Sequence, residues 1–458
     1  MGARTGILVS SILAAAVGGY YGAAFAVPGA DRRDLLPGRT TRGHYLIESA
    51  CGACHTPFHG VSSDACLRCH EAALTAAEDS HPPSKLSDPR NADRVAGLDA
   101  RACVACHREH APDRARAGGV TLPADFCAAC HQDIARERPS HQGFAFAGCA
   151  TTGCHRYHDN RGLYEGFLAR HLHEPEVLAS PHVPPLAHAS NGKRPGSRPL
   201  DRSDRDDPPG QAGGDARTPG ARDDGALVRA WEGSAHARGG VSCAACHGLP
   251  DAATGMTIWK EHPGGASCGR CHALEQEGFA HGAHGARTAA GLSPLTPAMA
   301  RLPMRLEARG TSLGCDACHA AHAYDTRRAA VEACLGCHDD AHSRAYRASR
   351  HALLWERELA GAAPPGTGVS CATCHLPRRV SRVRGADVVR VEHDQSADLR
   401  PRDKMLRGSC LTCHGLGFAI DSLADDALVE RNFNGRPSAH VGSLDMVERR
   451  LPGGGTKP

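Results

Sequence analysis

The sequence predicts a mainly α-helical chain with much irregular structure and little or no sheet, built around something other than its own side chains. Three observations carry that expectation. Aromatic residues make up only 4% of the 458 residues and Met numbers six, while Gly (52), His (30) and Cys (22) are abundant. A chain of this length ordinarily buries large hydrophobic cores, and here the usual core-fillers are thin. The cysteines fall into close pairs, each followed by a histidine, and the stretches with readable periodicity are short and helical.

The N-terminus comes first. Arg4 precedes an uncharged apolar run from Gly6 to about Tyr21, and Ala24-Phe25-Ala26 forms a small-x-small cleavage pattern. Residues 1–26 read as a signal peptide or, since Gly6 to Pro28 carries no charge and is long enough to span a bilayer, as an N-terminal membrane anchor. Both readings place the rest outside the cytoplasm, periplasmic or otherwise exported, with anchoring to the inner membrane left open. The net charge of +3 gives no electrostatic case for a nucleic-acid partner.

Ten cysteine pairs have the form Cys-x-x-Cys-His: Cys51/Cys54/His55, Cys66/Cys69/His70, Cys103/Cys106/His107, Cys127/Cys130/His131, Cys243/Cys246/His247, Cys268/Cys271/His272, Cys315/Cys318/His319, Cys334/Cys337/His338, Cys371/Cys374/His375 and Cys410/Cys413/His414. An eleventh, Cys149/Cys154/His155, has four residues between its cysteines. Together the pairs use all 22 cysteines, leaving none for a disulfide or a thiolate nucleophile. Cys-x-x-Cys-His is the attachment signature of c-type haem. Two thiols form thioethers with one porphyrin, and the adjacent imidazole points at the iron. A zinc ribbon would use cysteine pairs in twos with no demand for a histidine after each. The expectation is eleven covalently attached haem c groups, one per about 42 residues. Stacked porphyrins then form the core, and binding and folding are one event.

Nineteen histidines remain as second axial ligands. In "CDACHAAH", His322 cannot reach the iron held by His319, because the chain leaves from that face, but it can reach a neighbouring iron. "CHREH" and "CHRYH" place His110 and His158 in the same way. His44, His59, His81 and His141 lie beside N-terminal motifs and are further candidates. His171 and His173 compete for one role, and His182 and His188 are not expected to ligate. Bis-His ligation favours lower potentials than His/Met and fills both coordination positions.

The motifs fall into two groups. Residues 40–175 hold five, residues 228–445 hold six, and residues 176–227 form a Pro/Gly/Asp/Arg-rich linker expected to be disordered. Residues 446–458 read as a flexible tail. Helical composition is readable at Asp325–His338, at Ser343–Gly361 ending on its glycine, and at Ser422–Phe433, where Ser422 reads as an N-cap with acids in the first turn.

Residues 44–175, with compact motifs and His-rich spacers, resemble class III (cytochrome c3-type) carriers. Residues 228–440 resemble the C-terminal part of the octahaem hydroxylamine oxidoreductase family, through "WEGSAHARGGVSCAACHG", "CDACHAAHAYDTRRAAVEACLGCHDDAHSRAYRASRH" and "GVSCATCHLP". That resemblance implies His236, His322, His342, His351, His393 and His440 as distal ligands. It also implies a catalytic haem at Cys268, Cys271 and His272, with His281 and His284 either lining an open site or filling the sixth position. The oxidative members cross-link a tyrosine from the C-terminal region to that haem. Here no tyrosine follows the last motif, and no Cys-x-x-Cys-Lys exists.

Two functions follow. One is a periplasmic electron conduit along mostly bis-His haems, exchanging electrons with a membrane quinol-oxidising module, a terminal reductase or a porin-associated cytochrome. The alternative is a multihaem reductase of a small nitrogen or sulfur oxyanion at the His272 haem. Saturated coordination favours the conduit, so the chain reads as an electron-transfer protein before an enzyme.

Overall fold

The computed structural model describes residues 3–26, 35–149, 157–159, 165–184, 225–250, 257–383, 386–397, 399, 402 and 404–450. Short helices and turns dominate, as the composition predicts. The strands form three two-stranded antiparallel hairpins: β1 (His55–Thr56) with β2 (Gly60–Val61), β3 (Gly248–Pro250) with β4 (Thr257–Trp259), and β5 (Arg378–Val383) with β6 (Ala386–Val391). The chain divides into two compact units, one of residues 1–151, 155–162 and 286–293, the other of residues 152–154, 163–285 and 294–458.

In the first unit, α1 (Ala3–Ala26) covers the apolar N-terminal run. Among the described residues no helix is long and apolar enough to cross a membrane. α2 (Ser63–Ala76) starts where the Ser62 hydroxyl accepts the Ala65 N–H, and it carries Cys66, Cys69 and His70. Most of the remainder is one-turn helices and 3-10 turns.

The second unit begins before the linker, with α3 (Glu165–His171). α4 (Ala273–His281) follows the Cys268 motif. The helix expected over Asp325–His338 is broken at Val331 (φ −141°, ψ −59°) into α5 (Thr326–Ala330), capped by Asp325, and α6 (Glu332–Leu335). The stretch expected at Ser343–Gly361 opens earlier, with α7 (Ala341–Ala345) capped by Asp340. It then tightens into a 3-10 turn and continues as α8 (Arg350–Leu359), capped by Ser349, with Gly361 past its end at φ +70°. Ser422 is no N-cap: it is buried inside α9 (Leu416–Ala424). The cap of the following α10 (Asp426–Glu430) is Asp425, which accepts the Leu428 N–H on one oxygen and both Ser438 donors on the other. α11 (Ser443–Glu448) closes the unit.

The side-chain cores lie in this unit. The larger packs Leu168 of α3 against Met405, Leu406, Leu416, Ala419, Ile420, Leu423, Leu444, Met446 and Val447, and the smaller joins Val331, Leu335, Tyr346 and Ala352. Residues 165–184 are therefore built into the second unit, although their composition reads as the end of the first module and the start of the linker. Gly415 N–H bonds Pro175 O, Leu178 N–H bonds Cys413 O, and Val183 N–H bonds Gly366 O at 2.7 Å.

Candidate cofactor site: paired histidines beside the cysteine motifs

Among the described residues, the motifs fold locally into about one helical turn. Cys103–Cys106, Ala128–His131, Cys243–His247, Cys315–His319 and Cys371–His375 are α-helical turns, while Cys51–Ala53 and Cys410–Thr412 are 3-10 turns. The motif histidine closes the turn: His107, His131, His272, His338 and His414 N–H groups bond the carbonyl of the first cysteine at 2.8–3.0 Å. Such a turn brings positions i, i+3 and i+4 to one face, so two sulfurs and one imidazole converge. Ser242 and Ser370 cap two of these turns, Ser370 in a reciprocal capping box with Thr373. Cys149 belongs to the described residues; Cys154 and His155 lie outside them.

Opposite ten motif histidines stands a second histidine ring. In the first unit the pairs are His55 with His110 (6.3 Å between ring centres), His70 with His44 (5.9 Å), His107 with His158 (6.2 Å) and His131 with His81 (6.0 Å). In the second they are His247 with His322 (5.9 Å), His272 with His236 (6.0 Å) and His319 with His393 (6.3 Å). His338 faces His284 (6.3 Å), His375 faces His342 (6.2 Å) and His414 faces His351 (6.2 Å). Two imidazoles on one metal, with bonds of about 2.0–2.1 Å and ring centres a little over 1 Å further out, stand roughly 6.3 Å apart. The ten pairs therefore fit a haem iron bracketed from both faces. Among the described residues no group of three or more His, Cys, Asp or Glu could hold a metal ion. Paired imidazoles suit an ion whose other four ligands are porphyrin nitrogens.

The second histidine of "CDACHAAH" thus faces a different motif from the one beside it. The backbone turns sharply to do this: His110 and His322 are both left-handed, at φ +59° and +69°, a conformation in which histidine is enriched among non-glycine residues. Gly38 lies so close to His110 that a Cβ would stand 2.9 Å from the His110 carbonyl oxygen.

Other spare histidines are placed elsewhere. His59 is exposed beside the β1–β2 turn. His440 sits between two carboxylates, 3.1 Å from Asp421 and 2.8 Å from Asp445, rather than opposite a motif histidine. His281 ends α4, exposed, whereas His284 turns inward to His338 rather than to His272. His141 ends a 3-10 turn at Pro139–His141. His171 is held by Glu174 at 2.6 Å, and His182 by the Ser180 carbonyl at 2.8 Å; His173 is exposed, and His188 lies outside the described residues.

The far edges of the paired rings fix their tautomer. Nδ1–H donates to a backbone carbonyl from His81 (Tyr157), His107 (Gly119), His110 (Gly38), His247 (Lys260), His342 (Val429), His393 (Val391) and His414 (Glu176). That leaves Nε2 as the lone pair, the arrangement a metal-binding histidine needs; in His342 it accepts from Asn432 Nδ2 at 3.2 Å. Nδ1 of His236 and His322 is buried with no hydrogen-bond partner among the described residues. Burial, reinforced by the facing ring, lowers His284 and His351 to about 4, and burial with several neighbouring histidines does the same to His375. All three are neutral, the ligating form. His44 differs: its Nδ1 faces the Glu109 carboxylate at 2.7 Å, and Thr41 donates to the same carboxylate through N–H and hydroxyl, each at 2.7 Å. Burial opposes ionisation of Glu109, but the hydrogen bonds from His44 and Thr41 prevail and hold it at about 2.

Successive motifs touch. Thiols hydrogen-bond between Cys66 and Cys103, Cys127 and Cys149, Cys268 and Cys315, and Cys334 and Cys371. The intervening motifs also adjoin. Burial, with the neighbouring motif's thiol adding to it, raises Cys54 (near Cys69), Cys106 (near Cys130), Cys246 (near Cys268), Cys318 (near Cys334) and Cys374 (near Cys413).

A family model for cytochrome c3 matches residues 43–132. The cytochrome c3 region takes in the first four motifs, so the N-terminal part is that of a multihaem c-type cytochrome, an electron carrier binding haem c. No curated protein and no solved structure matches the chain. The cytochrome c3 match ends at the His131 motif, and the octahaem resemblance of the second unit rests on its motifs alone.

Proposed function

We propose that the chain is an exported electron conduit of eleven haem c groups, five in the first unit and six in the second. The ten facing histidine pairs carry the reading. At these ten both axial positions are supplied by the protein, so each of the ten irons suits outer-sphere electron exchange and leaves no position for substrate. The cysteines tether each porphyrin, the motif histidine holds one face, and the second histidine, borrowed from elsewhere in the chain, holds the other. His141 is our candidate for the iron on His155. Haem supplies one-electron chemistry when bound, and the protein sets spacing, ligation and dielectric. The thiol contacts support a path in chain order within each unit. Residues 1–26 act as the export signal, and the partners are redox proteins: a quinol-oxidising membrane module, a terminal reductase or a porin-associated cytochrome.

The reductase alternative needs an open face at the His272 haem, and the ring of His236 faces it at 6.0 Å. Electron paramagnetic resonance of the fully oxidised holoprotein tests this. Only low-spin ferric haem is expected. One high-spin haem that responds to a small oxyanion would overturn the conduit reading in favour of the enzyme.

A further inference from the structure

Seven of the paired histidines rest their outer Nδ1–H on a neutral backbone carbonyl. His44 rests on a side-chain carboxylate instead. Its Nδ1–H donates to Glu109 Oε1 at 2.7 Å, closer than His158 to Asp79 (3.3 Å), His338 to Asp340 (3.8 Å) or His272 to Glu275 (4.0 Å). Glu109 is itself fixed: Thr41, only 6% exposed, donates its N–H to Oε2 and its hydroxyl to Oε1.

We propose that Glu109 is a positioning residue that lowers the reduction potential of the haem held by His70 and His44, making it the last of the first three haems to be reduced. The inference rests on the bis-His reading above. A carboxylate on the outer nitrogen makes an axial imidazole a stronger electron donor. It stabilises the ferric state, with its extra positive charge, more than the ferrous state, and second-shell hydrogen bonding is one of the levers a protein has on haem potential. The neighbouring haems are less tightly held: His107 and His110, flanking Glu109 in "CHREH", both donate to backbone carbonyls, and the carboxylate contact of His158, which faces His107, is the longer one, 3.3 Å to Asp79. The four-residue stretch His107–His110 therefore serves three haems, with its one carboxylate aimed at the middle one. The His55 and His107 motifs adjoin the His70 motif on either side, through Cys54 near Cys69 and Cys66 against Cys103. An electron crossing the first unit would pass through the middle haem without resting there.

The test is a potentiometric titration of full-length holoprotein, following individual low-spin ferric signals. With Glu109→Gln, one signal should disappear at higher potential. At a fixed potential its oxidised-to-reduced ratio should fall about tenfold, the lower end of what removing an outer-shell partner of a metal ligand costs, or 59 mV for a one-electron couple. The number of low-spin haems should stay the same. Glu109→Asp, which keeps the charge but withdraws it, should give a smaller shift in the same direction. A Glu109→Gln titration that overlays the parent, with every haem still low-spin, would refute the inference and leave the ligation reading standing. Retention of every low-spin haem in His44→Ala would instead refute the ligation reading on which the inference rests.

Discussion

Replacing His284 by alanine separates two accounts of the second unit. On the octahaem resemblance His284 belongs to the His272 haem; in the structure it faces His338 with ring centres 6.3 Å apart. Its removal should leave the His338 iron without a sixth ligand, because His281 is exposed at the end of α4 and faces no motif histidine among the described residues. On the proposed count of eleven haems one changes, so about 9% of the low-spin ferric signal should convert to high-spin, since haem spin state follows axial ligation. The assay is electron paramagnetic resonance of the oxidised protein with total haem measured in parallel. His284→Met should restore a six-coordinate haem at raised potential, because His/Met ligation lies above bis-His. His281→Ala should leave the spectrum unchanged. A fully low-spin His284→Ala protein, or a high-spin signal in His281→Ala, would refute the assignment.

Three further outcomes follow from the fold. Leu168 and Leu416 are fully buried in one cluster although the linker separates them in sequence. Alanine at either should lower unfolding stability of the second unit by about 3 kcal/mol, read as a shift in denaturant midpoint. Gly366 lies at φ +87°, with a Cβ position 2.6 Å from the Val183 carbonyl oxygen. Gly366→Ala should cost roughly 1–3 kcal/mol and loosen the Val183 segment, measured by proteolysis after residue 184. His440 is raised to about 9 by its hydrogen bonds to Asp445 and Asp421. A folded-state value above the unfolded 6.5 means its stabilisation is fully present below about pH 6.5 and fades as pH rises through about 9. The denaturant midpoint of His440→Gln should fall below the parent at pH 6 and match it at pH 10.

The chemistry was legible where it is local. A cysteine pair with its histidine needs only one helical turn, and that turn is written into consecutive residues, down to the serines that cap it at Ser242 and Ser370. Which spare histidine faces which motif depends on packing across long stretches. The octahaem resemblance placed His284 with His272, but after α4 the chain turns at Gly282 and Gly285, where a Cβ on Gly285 would collide with the Phe279 carbonyl oxygen, and His284 faces His338. His440 was read as a ligand by resemblance, yet Asp421 and Asp445 bracket its ring, a tertiary arrangement that no local motif announces. Residues 165–184 looked like module edge and linker because scattered contacts, Leu168 with Phe167, Ala169 and Leu172, buried Val183 and a few hydrogen bonds, tie them to the second unit. The β5–β6 hairpin went unseen, although "VSRV" and "DVVRV" on either side of Arg384-Gly385 are rich in β-branched valine about a glycine-bearing turn.

The central claim is that this polypeptide is laid around covalently tethered haems. Intact-mass measurement of the purified mature protein tests it most directly. The account predicts the polypeptide mass plus eleven haem groups, retained after denaturation because each is held by thioether bonds. A mass equal to the bare chain, or haem that dissociates on unfolding, would contradict it.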